Sequence, residues 1–253
     1  MNTIRACIGT VILILLCETL PAQDTVINGV TISFGIDRHT FPNRWLRKNI
    51  SAEAVSLPDT CMPRAQALMA QALTRYPVSM PCKYLKRVHI FKSLRFYGYP
   101  YGGTYRRKAV YLTFDPGHPM SGESFLEERF HHEFSSILWK ENHRKLDLDA
   151  WMSFNPPGFV YGEGGIDAIQ EGIASMETDP GYFAIGFLNR YAMTEIEQDI
   201  NCIAQYLFCG GPEFWKIVDE NERIRGKVIL LVDFYHQLNP MFTEPYFRNL
   251  NKF

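Results

Sequence analysis

The sequence predicts an α+β chain: a small mixed β-sheet packed on one long helix, followed by a mainly helical C-terminal lobe. Three observations carry that expectation. Apolar residues alternate through 85–96 and 108–114, which reads as two strands around a Gly/Tyr/Pro turn. A strong helical repeat opens near residue 125. After a loop-rich stretch at 146–165, four further segments up to residue 238 carry helical signals.

Composition bounds the answer before any motif is read. The chain has 253 residues, 46% of them hydrophobic, enough to bury a sizeable core as one large domain or two lobes. Its formal net charge of -1 leaves no electrostatic footprint for nucleic acid or an anionic membrane. Its 18 Phe and 13 Tyr argue against disorder.

Arg5, the apolar run Ile8 to Leu16 and the small residue Ala22 after Pro21 have the order of a secretory signal peptide over 1–22. The mature chain, 23–253, reads as a single domain, with the sheet and long helix in 23–145 and the helical lobe in 146–253. No other run is apolar and long enough to span a bilayer, so an exported protein is expected, periplasmic, cell-surface or extracellular. Leu16 precedes Cys17 where a lipid anchor wants Gly or Ala, which argues against lipidation. Cleavage leaves Cys61, Cys82, Cys202 and Cys209. An even count in an exported chain permits two disulfides, and three pairings exist. Sequence neighbours suggest Cys61–Cys82 and Cys202–Cys209. The second requires its helix to end or bend, because seven helical residues span about 10 Å.

The elements follow in order. Val26-Ile27 and Val30 to Phe34 are expected as short strands in an irregular region, 24–58. A helix over 61–76 has Pro63 in its first turn, an apolar stripe of Leu68, Met69, Ala72 and Leu73, and a stop at Pro77. Leu85, Val88, Ile90 and Leu94 predict a strand with one wet face, and Lys108 to Phe114 a second strand. Asp115-Pro116-Gly117 breaks it. Ser124 and Glu127 form a capping box for a helix of about 125–142, whose core face is Leu126, Phe130, Phe134, Ile137 and Leu138. A short helix is expected at 166–176. Thr194 and Glu197 form another capping box, for a helix closed by Gly210-Gly211. Helices at 212–219 and 221–238 follow. The tail carries Phe242, Tyr246 and Phe247, expected to pack back on the body.

The chemistry lies in His132-Glu133-Phe134-Ser135-Ser136 on the long helix. A helix that places His at i and i+4 grips one zinc, and Glu at i+1 serves as base toward its water. Here His132 and Glu133 hold the first two roles, but Ser136 stands at i+4, and a serine hydroxyl is a poor zinc ligand. His131 lies about 100° round the helix, and His143 about 16 Å along it, so neither fills the gap.

Arg129 to Leu138 resembles the active-site helix of the HExxH zinc-binding metallopeptidases exported by Bacteroidetes, proteins often associated with nutrient import. The resemblance continues at Tyr191-Ala192, Gln198-Asp199 and Phe214-Trp215, and covers most of 60–247. It implies a zincin-like fold, a bound zinc and a Glu-Asp pair that supplies or supports the third ligand. Gln198 stands where the acidic ligand is expected, flanked by Glu197 and Asp199. In zincins the strand before the motif helix offers its edge to extended substrate, and Lys108 to Phe114 occupies that place.

Two readings follow. The first is an exported zinc metallopeptidase, with His132 and Asp199 or Glu197 as metal ligands and Glu133 as general base. The second is a non-catalytic pseudopeptidase that holds peptide or glycan in the retained cleft.

Overall fold

The structure is a computed structural model that describes residues 24–118, 122–162, 164, 168–169, 172, 175 and 177–250. The expected signal peptide and most of the expected 166–176 helix lie outside the described residues.

The centre of the sheet is β4 (Arg87–Phe96), long enough to take two partners on each side. Its first half pairs in parallel with β2 (Val30–Ser33) and β7 (Ala109–Thr113). Its second half pairs antiparallel with β3 (Glu53–Ser56) and β5 (Tyr99–Tyr101). β1 (Thr25–Ile27) and β6 (Gly103–Arg106) form antiparallel edges on β2 and β7. The sheet is therefore mixed and seven-stranded, ordered β1-β2-β4-β7-β6 along its main path.

One face of the sheet packs on helices. Val30, Ile32, Val88, Ile90, Val110 and Leu112 join one buried cluster with Leu68, Met69 and Leu73 of α1 (Met62–Thr74) and Phe130 and Phe134 of α3 (Glu123–Asn142). The same cluster extends through α6 (Ile196–Cys209), α7 (Gly211–Glu220) and α8 (Glu222–Leu238) to Phe247 in α9 (Glu244–Asn249). Three shorter helices are also described: α2 (Ser79–Tyr84), α4 (Leu148–Ser153) and α5 (Pro180–Phe183). Phe242 and Phe247 stack on each other and reach Phe208 and Tyr235, so the tail packs back as its aromatics suggested.

Several expectations need correction. The second face of β4 is not wet. Phe91 and Tyr111 are covered by Phe41 and Trp45 from the preceding loop. Lys92 is an extra residue in the register with β3, between Ser93 opposite Val55 and Phe91 opposite Ser56. That bulge moves Leu94 onto the aromatic face, away from Val88 and Ile90. Neither capping box forms. Gly122 and Glu195 hold the N-cap positions of α3 and α6, without side-chain caps. No disulfide forms among the described cysteines, all four of which are free. Cys202 and Cys209 lie in one unbroken helix, too far apart to bridge. Cys82 Sγ instead donates to Asn28 O, 3.0 Å away. Finally, β7 is not an edge: β6 pairs along its outer side and is itself the rim strand over α3.

Candidate functional site

The site forms where α3, α6 and β6 meet. Gly102 and Gly103 permit the close approach of strand to helix. A Cβ at Gly102 would sit 2.5 Å from the Phe125 ring, and one at Gly103 2.8 Å from Arg129 and 3.1 Å from Glu133 Oε1. Across α3, the helix α6 turns a polar row toward the motif. Gln198, Asn201 and Gln205, spaced at i, i+3 and i+7, share one face.

His132 is held at both ring nitrogens by that row. Its Nδ1 lies 3.1 Å from Gln205 Oε1, and its Nε2 lies 3.0 Å from Gln198 Oε1. Burial and the nearby Arg129 charge push its pKa down to about 3, so the ring is neutral at physiological pH. Tyr191 stacks alongside, with ring centroids 6.3 Å apart.

Ser136 is equally committed, accepting from Asn201 Nδ2 at 2.6 Å. Glu133 is brought to the same place, 4.0 Å from Arg129 Nη1. Burial pushes its carboxyl up to about 7, with the Glu197 charge adding to the shift and Arg129 opposing it.

Glu197 does not face His132 as a free carboxylate. It accepts from Tyr105 of β6 at 2.5 Å and pairs with Lys140 at 3.0 Å, tying the rim strand to both helices. Asp199 points elsewhere altogether. Its Oδ2 accepts from Trp151 Nε1 at 2.9 Å, Tyr161 at 2.7 Å and Lys227 Nζ at 2.7 Å. Asp199 and Lys227 are both fully buried, and Lys227 also donates to Gly186 O. One helix position separates Asp199 from Gln198, and about 100° of rotation turns it to the opposite partner helix.

The structure thus brings Glu197 near Glu133 and turns Asp199 away toward Lys227. The donor set does not fit zinc at His132. Both ring nitrogens have amide partners, the i+4 position is a hydrogen-bonded serine, and both flanking carboxylates are engaged. Residue-by-residue reading of the motif missed Gln205, although the polar row on an otherwise apolar helix signals it. It also missed Tyr105 and Arg129.

A second group of metal-ligating side chains lies on another face of α3. Ligand atoms of Glu127, His131 and Cys209 all lie within 4.8 Å of one another.

No protein-family model matches the chain, and no curated protein matches it. Among solved structures, the chain is similar to one from Bacteroides caccae ATCC 43185 described as a "putative zinc-binding metallo-peptidase". The identity is 14% and the TM-score 0.47, over 74% of this chain and 75% of that one.

Proposed function

We propose that the chain is a pseudopeptidase: an exported binding protein with a peptidase-like cleft whose zinc centre has been replaced by a hydrogen-bonded amide–imidazole–amide clamp. The observation that carries this reading is the engagement of both His132 nitrogens by Gln198 and Gln205. A zinc ligand needs one nitrogen lone pair directed at open space, and a catalytic zinc needs about three protein ligands. His132 offers neither condition.

The rim of the sheet is the surface that would take a peptide. β6 is a short rim strand, with no further strand on its outer side among the described residues. An extended backbone adding there would gain main-chain hydrogen bonds by β-augmentation. Arg129 and Glu133 lie beneath it, against Gly103. Glu133 is kept as part of the cleft floor, where its raised pKa follows from burial.

The test is metal content and hydrolysis in native protein and in His132→Ala. The expected result is equal zinc content in the two proteins and no chelator-sensitive cleavage of a quenched-fluorescence peptide library. Zinc that disappears in His132→Ala, or chelator-sensitive cleavage lost in Glu133→Gln, overturns the reading.

A further inference from the structure

We propose that Glu127, His131 and Cys209 form a thiolate-containing site for a zinc-like divalent cation, distinct from the degenerate motif. Glu127 and His131 stand one turn apart on α3, so both project toward the same point. Cys209 closes the group from the last residue of α6. The three ligand atoms lie within 4.8 Å of one another. Tetrahedral zinc places its ligand atoms about 3.4–3.7 Å apart, so ordinary side-chain movement closes the site.

The imidazole is already aimed. His131 is fully buried, stacked at 4.5 Å on Phe208, and its Nδ1 shares a 2.7 Å hydrogen bond with Tyr76. Its other nitrogen, Nε2, is buried without a hydrogen-bond partner, and the nearest carboxylate oxygen, Glu127 Oε1, is 3.7 Å away. That separation is too long for a hydrogen bond. A buried nitrogen without a partner, held by a second group at its far side, is the arrangement metal-ligating histidines adopt. When Nδ1–H donates to the Tyr76 oxygen, Nε2 presents its lone pair to an ion.

The donor types favour zinc or another thiophilic ion over magnesium or calcium. Cys209 is half-buried, which leaves the group reachable from one side. Binding releases the thiol proton, so uptake strengthens as pH rises. Arg75 Nε also lies 2.6 Å from Glu127 Oε1. The ion shares that carboxylate with the guanidinium, which weakens the site relative to a closed four-ligand centre.

The probe is cobalt(II), added to the reduced full chain. A thiolate-to-cobalt charge-transfer band in the near ultraviolet, with visible bands of tetrahedral intensity, is expected at about one equivalent. Cys209→Ser should abolish the charge-transfer band, and Tyr76→Phe should weaken cobalt affinity about 10- to 100-fold. His132→Ala should leave the band unchanged. Circular dichroism and a melting curve for Cys209→Ser confirm that the fold survives. Absence of the band in the native chain overturns this site and leaves the pseudopeptidase reading standing. A band that survives Cys209→Ser, arising from Cys61 or Cys82, also overturns it. A spectrum lost in His132→Ala whose circular dichroism and melting curve match the native chain overturns both.

Discussion

A neutral imidazole has one donor and one acceptor nitrogen, yet His132 faces a glutamine amide on each side. With both amides presenting oxygen, one contact would be repulsive, so one amide must turn its NH2 to the ring. Gln205 is the one to turn, because its Nε2 is buried without a partner in the alternative orientation. Nε2–H of His132 then donates to Gln198, and Nδ1 accepts from Gln205. The clamp thus gives His132 a structural role, since removing it would strand two amides. On the proposed reading, two substitutions should create a metal centre here. In a Cys209→Ser background, Ser136→His with Gln198→Glu supplies a second imidazole and a carboxylate beside His132. Without metal this variant should lose about 1–3 kcal/mol, because Ser136 is 1% exposed and its bond from Asn201 is broken. With free zinc at 100 times the dissociation constant it should regain about 2.7 kcal/mol, reversed by chelator. A melting temperature indifferent to zinc would show that these positions do not hold the geometry of a metal centre.

At the scale of elements, α6 has two partners and a different polar device for each. Its Gln198–Asn201–Gln205 row meets α3, and Asp199 on the other side meets Lys227 of α8. Lys227 also lies 3.9 Å from the centroid of the Phe187 ring. Lys227→Met should destabilise by about 3–5 kcal/mol in urea unfolding, because a buried carboxylate loses its counter-charge. Adding Asp199→Leu should recover most of that loss, and a double variant no better than the single one would deny that the uncompensated charge is the cause. Helical periodicity made α1, α3, α6, α7 and α8 legible because each buries a wide apolar stripe. β3, β5, β6 and α2 were not legible, being short. β6 reads Gly-Thr-Tyr-Arg and has no alternation to betray it. The capping boxes failed through competition. Glu127 and Glu197, expected to cap, are engaged by Arg75 and by Tyr105 and Lys140. In the sequence, His132 and Glu133 stand out by the motif and Glu197 by its place beside Gln198. Asp199 was misassigned because helix rotation turns neighbouring residues to different partners, which residue type alone does not reveal.

For the whole molecule, the buried ionisable groups set how stability follows pH, and they pull in opposite directions. Burial pushes His89 and His131 down to about 4 and His132 to about 3. Each stays neutral in the fold but takes up a proton in the unfolded chain below about 6.5, so each contributes stability that is lost as pH falls from there. Glu133 has the opposite sign. Its folded value is raised to about 7, so it is neutral in the native state while already ionised in the unfolded chain above about 4.3. Its contribution is complete below that value and is lost as pH rises through 7. Between pH 4.5 and 6 the unfolded state therefore gains about three protons on the histidines and the native state about one on Glu133. The net of about two protons makes stability rise by roughly 2–3 kcal/mol per pH unit from these four groups. Glu133→Gln removes only the opposing contribution. Its profile should climb more steeply than the native one, by about 1 kcal/mol per pH unit from pH 5 to 7, and run parallel to it above about pH 8. Urea unfolding at half-unit steps from pH 4.5 to 8.5 measures the difference, in which every other titrating group cancels. Parallel native and variant profiles between pH 5 and 7 would mean that Glu133 ionises like a solvated carboxylate. The space under β6 would then be wet rather than closed by the rim strand.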